Sequence, residues 1–207
     1  EQVRNQFENL LSAQFAASNV LQFNPSAQQA AEARFIRAFS MYWVLDGYDQ
    51  VPYREDLNDY KKLPETLKGQ AAVDFIVTEL NEILPTLPDA GAAYVANKNA
   101  AKALLMKIYL NKGVYANRAT PTFAAEDMNK VISLADEIIA SGKYSLNNNY
   151  FDNFAPDNDV KSCEGSVTVY NDAASNRGTP NMRAFAYMVS HYKQNPSGWN
   201  GFATLSD

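Results

Sequence analysis

Four carboxylates crowd one stretch of the chain: Asp46, Asp49, Glu55 and Asp56. A glycosidase needs little more than two carboxylates facing one glycosidic bond, one as acid and one as nucleophile or base. Charged loop residues are far more often solvated, however, and nothing else in this stretch marks catalysis. Asp157, Asn158 and Asp159 offer oxygen ligands to calcium, but without the glycine and distal glutamate of an EF-hand loop. Cys163 has no base near it in the sequence, the single His191 being distant, and it reads as a small buried residue. Neither a G-x-S-x-G elbow nor a glycine-rich phosphate loop occurs. The residue types point away from catalysis, and no cofactor or metal is expected.

Composition narrows the partners. The 207 residues are 46% hydrophobic, enough for one good core or two small ones. With a formal net charge of -5 and no Lys/Arg block, the chain is not expected to bind nucleic acid or an anionic membrane surface. One cysteine cannot close a disulfide within the chain and leaves the redox compartment open. No apolar run approaches the roughly 20 residues that cross a bilayer. The first residues, EQVRNQFENLL, lack the regions of a signal peptide and already form an amphipathic pattern through Val3, Phe7, Leu10 and Leu11. With its last residues TLSD, the chain reads as a fragment of a longer protein.

The elements that must position any site are mostly helices. Ser26 with Gln29 three residues on predicts a capped helix, continued by Ala31, Phe35, Ala38, Phe39, Tyr42 and Leu45 and ending near Asp46-Gly47. A polar loop with Pro52 and Pro64 follows. Val73, Ile76, Leu80, Ile83 and Leu84 form the next apolar stripe, closed by Pro85. A third, Ala101, Leu104, Leu105, Ile108 and Tyr109, starts after Asn97 or Asn99 and stops at Gly113. The fourth spans about 124–140, with Glu126 and Asp127 in its first turn and Gly142 just past its end.

These segments repeat. RAFSMYWVLDG and KALLMKIYLNKG share a basic residue, an alanine, a bulky apolar face and a glycine, and each precedes a loop and a second helix. Small residues such as Ala38 and Ala103 let helices approach, and tyrosines fill the gap between pairs, which is the logic of a tetratricopeptide array. The period exceeds the roughly 34 residues of that class because loops 47–66 and 114–122 are inserted. The expected fold is mainly α, an irregular tetratricopeptide-like helical-repeat scaffold over 1–146 with long loops. Aromatics on 35–43 belong to its core, except that Trp43 lies off the main stripe. Residues 147–207 change texture: a turn-rich NNNYFDNFAPDND, a short β element near 164–170, then an Asn/Ser/Gly-rich region with scattered aromatics. A long irregular region of this kind is expected to bind something.

AEARFIRAFSMYWVLDGYDQVPY (31–53) resembles the helix and turn of the SusD/RagB family, keeping Ala31-Glu32-Ala33-Arg34-Phe35, Arg37-Ala38, Gly47 and Val51-Pro52. It departs in Tyr48-Asp49-Gln50 within the turn. AAKALLMKIYLNKG, ADEIIASGKYSL and the Glu-led segment 164–170 follow in the family's order, and GWNGFATLSD is similar to its next loop. The resemblance covers the middle portion of a family member. It implies a non-catalytic lipoprotein on the outward face of the Gram-negative outer membrane, which captures oligosaccharides for a SusC-like TonB-dependent transporter. A peptide ligand is the alternative within the family, and a helical adaptor for protein partners the alternative outside it. The lipid anchor is implied to lie outside these residues.

A sugar ring has an apolar C–H face and a hydroxyl rim, so its binding site needs exposed aromatic rings with amides around them. Trp199 with Asn195 and Asn200 has that composition, and His191, Tyr192, Tyr170 and Asn171 complete the expected ligand-binding set. Trp199 is open between two readings, stacking platform and buried plug.

Overall fold

The computed structural model describes residues 1–54, 57–59, 61–89, 91–155 and 158–161. All of them belong to the unit Glu1–Val167. The described part is mainly α. Its order is α1 (Gln2–Val20) with a 3-10 turn Leu21–Phe23, α2 (Ala27–Tyr48), β1 (Gln50–Tyr53), β2 (Glu65–Lys68), α3 (Gly69–Ile83), α4 (Lys98–Ala116), α5 (Ala125–Ala140), a 3-10 turn Tyr150–Phe154 and a single turn α6 (Asn158–Lys161). The expected β element at 164–170 lies outside the described residues.

Asn24 takes a left-handed conformation (φ 49) and reverses the chain between α1 and α2. Ser26 then starts α2 with the capping box expected from its sequence: its Oγ accepts from the Gln29 N–H at 3.3 Å, and Gln29 Oε1 accepts from the Ser26 N–H at 3.0 Å. The two helices lie antiparallel. Tyr48 at the end of α2 donates its hydroxyl to the Val3 carbonyl at 2.8 Å, and its ring meets Phe7 edge-on at 4.8 Å.

The core sits between α2, α3 and α4. Ala38, Met41, Val44 and Leu45 from α2 pack with Val73, Ile76 and Leu80 from α3 and Leu105 and Ile108 from α4, all of them buried. Tyr42 bridges the two helix pairs by meeting Tyr115 of α4 edge-on at 6.3 Å. The close approach is made by Ala38, Ala100 and Ala101, whereas Ala103 is only half-buried. Trp43 stands off the core stripe as expected, partly exposed, with the Lys107 ammonium 5.8 Å from its ring centre.

A buried ion cluster joins α2 to α3. Both oxygens of the Glu79 carboxylate are used, one by Arg34 and the other by Arg37, and Arg34 also reaches Glu82. Burial works against the Arg34 charge, but its hydrogen bonds to Glu79 and Glu82 outweigh that and raise its pKa. The second pair, α4 and α5, is tied by Lys112 to Asp127 at 3.0 Å and Lys102 to Glu137 at 2.9 Å.

Three boundaries differ from expectation. Helix α2 runs through Gly47 to Tyr48, and Asp49 (φ 61) makes the left-handed cap, its N–H donating to the Leu45 carbonyl. Helix α4 runs through Gly113 to Ala116. This glycine is required by crowding: a Cβ there would run into the Thr122 carbonyl. The loop 47–66 contains half of an antiparallel hairpin, with Val51 opposite Leu67 and Pro52 opposite Thr66. Strands of four residues, one holding a proline, carry too little alternation to be read. Asn97 caps α4 through Oδ1, which accepts from the Ala100 N–H at 2.9 Å, and Gly142 (φ 62) follows α5 as expected.

Candidate functional site

All seven expected ligand residues, His191, Tyr192, Asn195, Trp199, Asn200, Tyr170 and Asn171, lie outside the described residues. So do Cys163, Glu55, Asp56 and Asp157.

The described members of the carboxylate group have structural work. The Tyr115 hydroxyl donates to Asp46 Oδ1 at 2.9 Å, and Arg118 donates from Nε to Asp49 Oδ1 at 2.7 Å. Arg118 Nη2 also reaches the carbonyls of Leu45, at 2.9 Å, and Asp46, at 3.3 Å. Those carbonyls belong to the last turn of α2, where helix acceptors lack partners, so the guanidinium caps the helix end. Burial, with hydrogen bonds to Tyr42 and Asp46, pushes the Tyr115 phenol well above its ordinary pKa and keeps it a donor. Asp46 and Asp49 thus hold the turn between α2 and β1. Among the described residues, no group of three or more His, Cys, Asp or Glu could hold a metal.

A different set of rings comes together in the first part of the region expected to bind ligand. The 3-10 turn Tyr150–Phe154 opens on Asn149, whose Oδ1 accepts from the Phe151 N–H at 3.2 Å. That turn brings Tyr150 within 5.7 Å of Phe151 and 5.2 Å of Phe154, centroid to centroid. Tyr150, Phe151 and Phe154 are 68%, 74% and 67% exposed, so the rings touch one another and face solvent. Amides surround them. Asn147 donates to Asn153 Oδ1 at 2.7 Å, Asn149 to Asp152 Oδ1 at 3.2 Å, and Asn158 to the Asn153 carbonyl at 3.0 Å. Rings that offer an apolar surface inside an amide rim have the composition a sugar face requires. Tyr150, Phe151 and Phe154 are not among the ligand residues expected from the sequence. Their spacing at 150, 151 and 154 between asparagines was the available signal.

No family model matches the sequence. The chain is 34% identical over 134 residues to the starch-binding protein SusD of Bacteroides thetaiotaomicron, a match covering 64% of this chain and 22% of SusD. The matched part is thus about a fifth of that relative's length. Its fold resembles a chain solved as a crystal structure with xylogluco-oligosaccharide: the TM-score is 0.63 at 23% identity, covering 77% of this chain and 34% of that one. At that identity the second likeness speaks for the fold, and it agrees with the helical-repeat arrangement described above.

Proposed function

We propose that this SusD-like chain is a non-catalytic surface protein that captures oligosaccharides. The observation that carries this reading is the 34% identity to a starch-binding protein over 134 residues. The exposed rings of Tyr150, Phe151 and Phe154 within their amide rim agree with it. In this reading 1–146 is the scaffold and 147–207 carries the ligand contacts, Trp199 among them. The captured glycan passes to a SusC-like TonB-dependent transporter. The protein sits on the outward face of the outer membrane through a lipid anchor outside these residues.

Isothermal titration against a polysaccharide panel tests the reading. At least one glycan should bind, and Trp199→Ala should weaken it at least about tenfold, the loss of one stacking or hydrogen-bonded contact of about 1.4 kcal/mol. Failure of the intact protein to bind any glycan would overturn the proposal. Binding of peptides alone, unaffected by Trp199→Ala, would replace it with peptide capture.

A further inference from the structure

The two helix pairs repeat in sequence, but their burial does not. Aligning RAFSMYWVLDG with KALLMKIYLNKG sets Ala38, Met41 and Leu45 of α2 opposite Ala103, Met106 and Leu110 of α4. The three residues of α2 are fully buried. Of their counterparts, Ala103 and Met106 are half-buried and Leu110 is 49% exposed. The second helices of the pairs differ in the same sense. The core stripe of α3, Val73, Ile76, Leu80 and Ile83, has the spacing of Met128, Val131, Ala135 and Ile138 on α5. That register sets Val77 and Leu84 of α3, which pack against the core, opposite Ile132 and Ile139 of α5, which are 59% and 75% exposed.

What covers the first pair is α4, which packs on α3 and also touches α2. Among the described residues, the single turn α6 is the only α-helix after α5, and it packs on the 3-10 turn Tyr150–Phe154. A repeat that ends an array carries a polar outer face. Leu110, Ile132 and Ile139 do not make one. The polar groups nearby are turned elsewhere or already paired. Lys107 of α4 leans over the Trp43 ring of α2, and Glu137 of α5 is bound to Lys102. Asn129, Ser133 and Asp136 lie on the next face of α5, so Ile132 and Ile139 border the covered stripe.

We propose that α4 and α5 form the seat of a third helix of the same protein, supplied from outside residues 1–207 and related to this pair as α4 is related to α2 and α3. The face that α4 brings to the core sets the chemistry of the occupant: small residues where backbones approach, as Ala100 and Ala101 are, then aliphatic side chains at helical spacing, as Leu104, Leu105 and Ile108 are. Continuity favours an occupant from the same chain, because the seat extends an existing stack of helices. Length agrees with it, since the match covers 22% of SusD and leaves about four fifths of that relative outside. The seat rests on the repeat and is independent of the glycan reading.

The test uses Ile139→Cys and Leu110→Cys, each combined with Cys163→Ser, and measures the rate of thiol reaction with a maleimide in the 207-residue chain and in the full-length protein. Both positions are open to solvent, so neither exchange disturbs packing within the chain. Both thiols should react freely in the 207-residue chain and at least about tenfold more slowly in the full-length protein, where reaction requires the third helix to open. Equal rates in the two forms would overturn the proposal. Protection at position 139 without protection at 110 would overturn it too, because the seat spans both helices. Thiols that are protected in the 207-residue chain at high concentration and freed on dilution, with a dimer in sedimentation, would assign the face to a second copy instead.

Discussion

Helices α3 and α5 have similar amphipathic patterns and different surroundings. Val73, Ile76, Leu80 and Ile83 of α3 are buried against α2 and α4, and Glu79 is buried with them because two arginines meet it. On α5 only Asp127 is buried, while Ile132 and Ile139 stand in solvent, the latter 75% exposed. The 3-10 turn beyond α5 buries no residue and displays three rings. Periodicity therefore tells which face of a helix is apolar. Whether that face is covered depends on the neighbours that reach it.

Substitutions on the two sides should separate stability from surface. The largest effect is expected at Glu79. Glu79→Ala leaves Arg37 buried without its carboxylate and should cost about 3–5 kcal/mol in urea unfolding. A cost below about 1 kcal/mol would show that water reaches this cluster and would blur the contrast. Gly113→Ala comes next, at about 1–3 kcal/mol, because the new methyl must displace the Thr122 backbone. An unchanged thermal midpoint would mean that loop 117–124 yields freely. The smallest effect belongs to Phe151→Ser, which should change stability by no more than about 0.5 kcal/mol, since its ring supports no core. A clear drop in its thermal midpoint would place Phe151 with the packed side of the molecule.

Much of the scaffold was legible because its signals are local. Ser26 and Gln29 specify a cap within one turn, and Asn97 does the same for α4. The apolar stripe of α4 is buried throughout, whereas that of α2 misses the buried Met41 and Val44 and includes the half-buried Phe39, and that of α3 ends on the half-buried Leu84. Gly47 stands one residue before the end of α2, close to the expected stop, whereas Gly113 resembles a stop yet lies inside α4, where another backbone passes beside it. The hairpin was invisible because the partner of Val51 is Leu67, beyond a loop, and pairing over that distance leaves no local period. For the ligand region, the residues expected to bind, from Tyr170 to Asn200, lie outside the described residues, and the exposed rings described there are at 150, 151 and 154.

From the residues alone came the helical class, the caps, the apolar faces, the lack of a catalytic motif and the resemblance that the SusD match supports. These depend on neighbours within a turn or on residue identity. The pairing of Glu79 with Arg34 and Arg37, the capping of α2 by Arg118 and the need for glycine at 113 came from the fold. The ion cluster and the Arg118 cap join residues far apart in the chain, and burial, crowding and hydrogen-bond partners are properties of where residues meet.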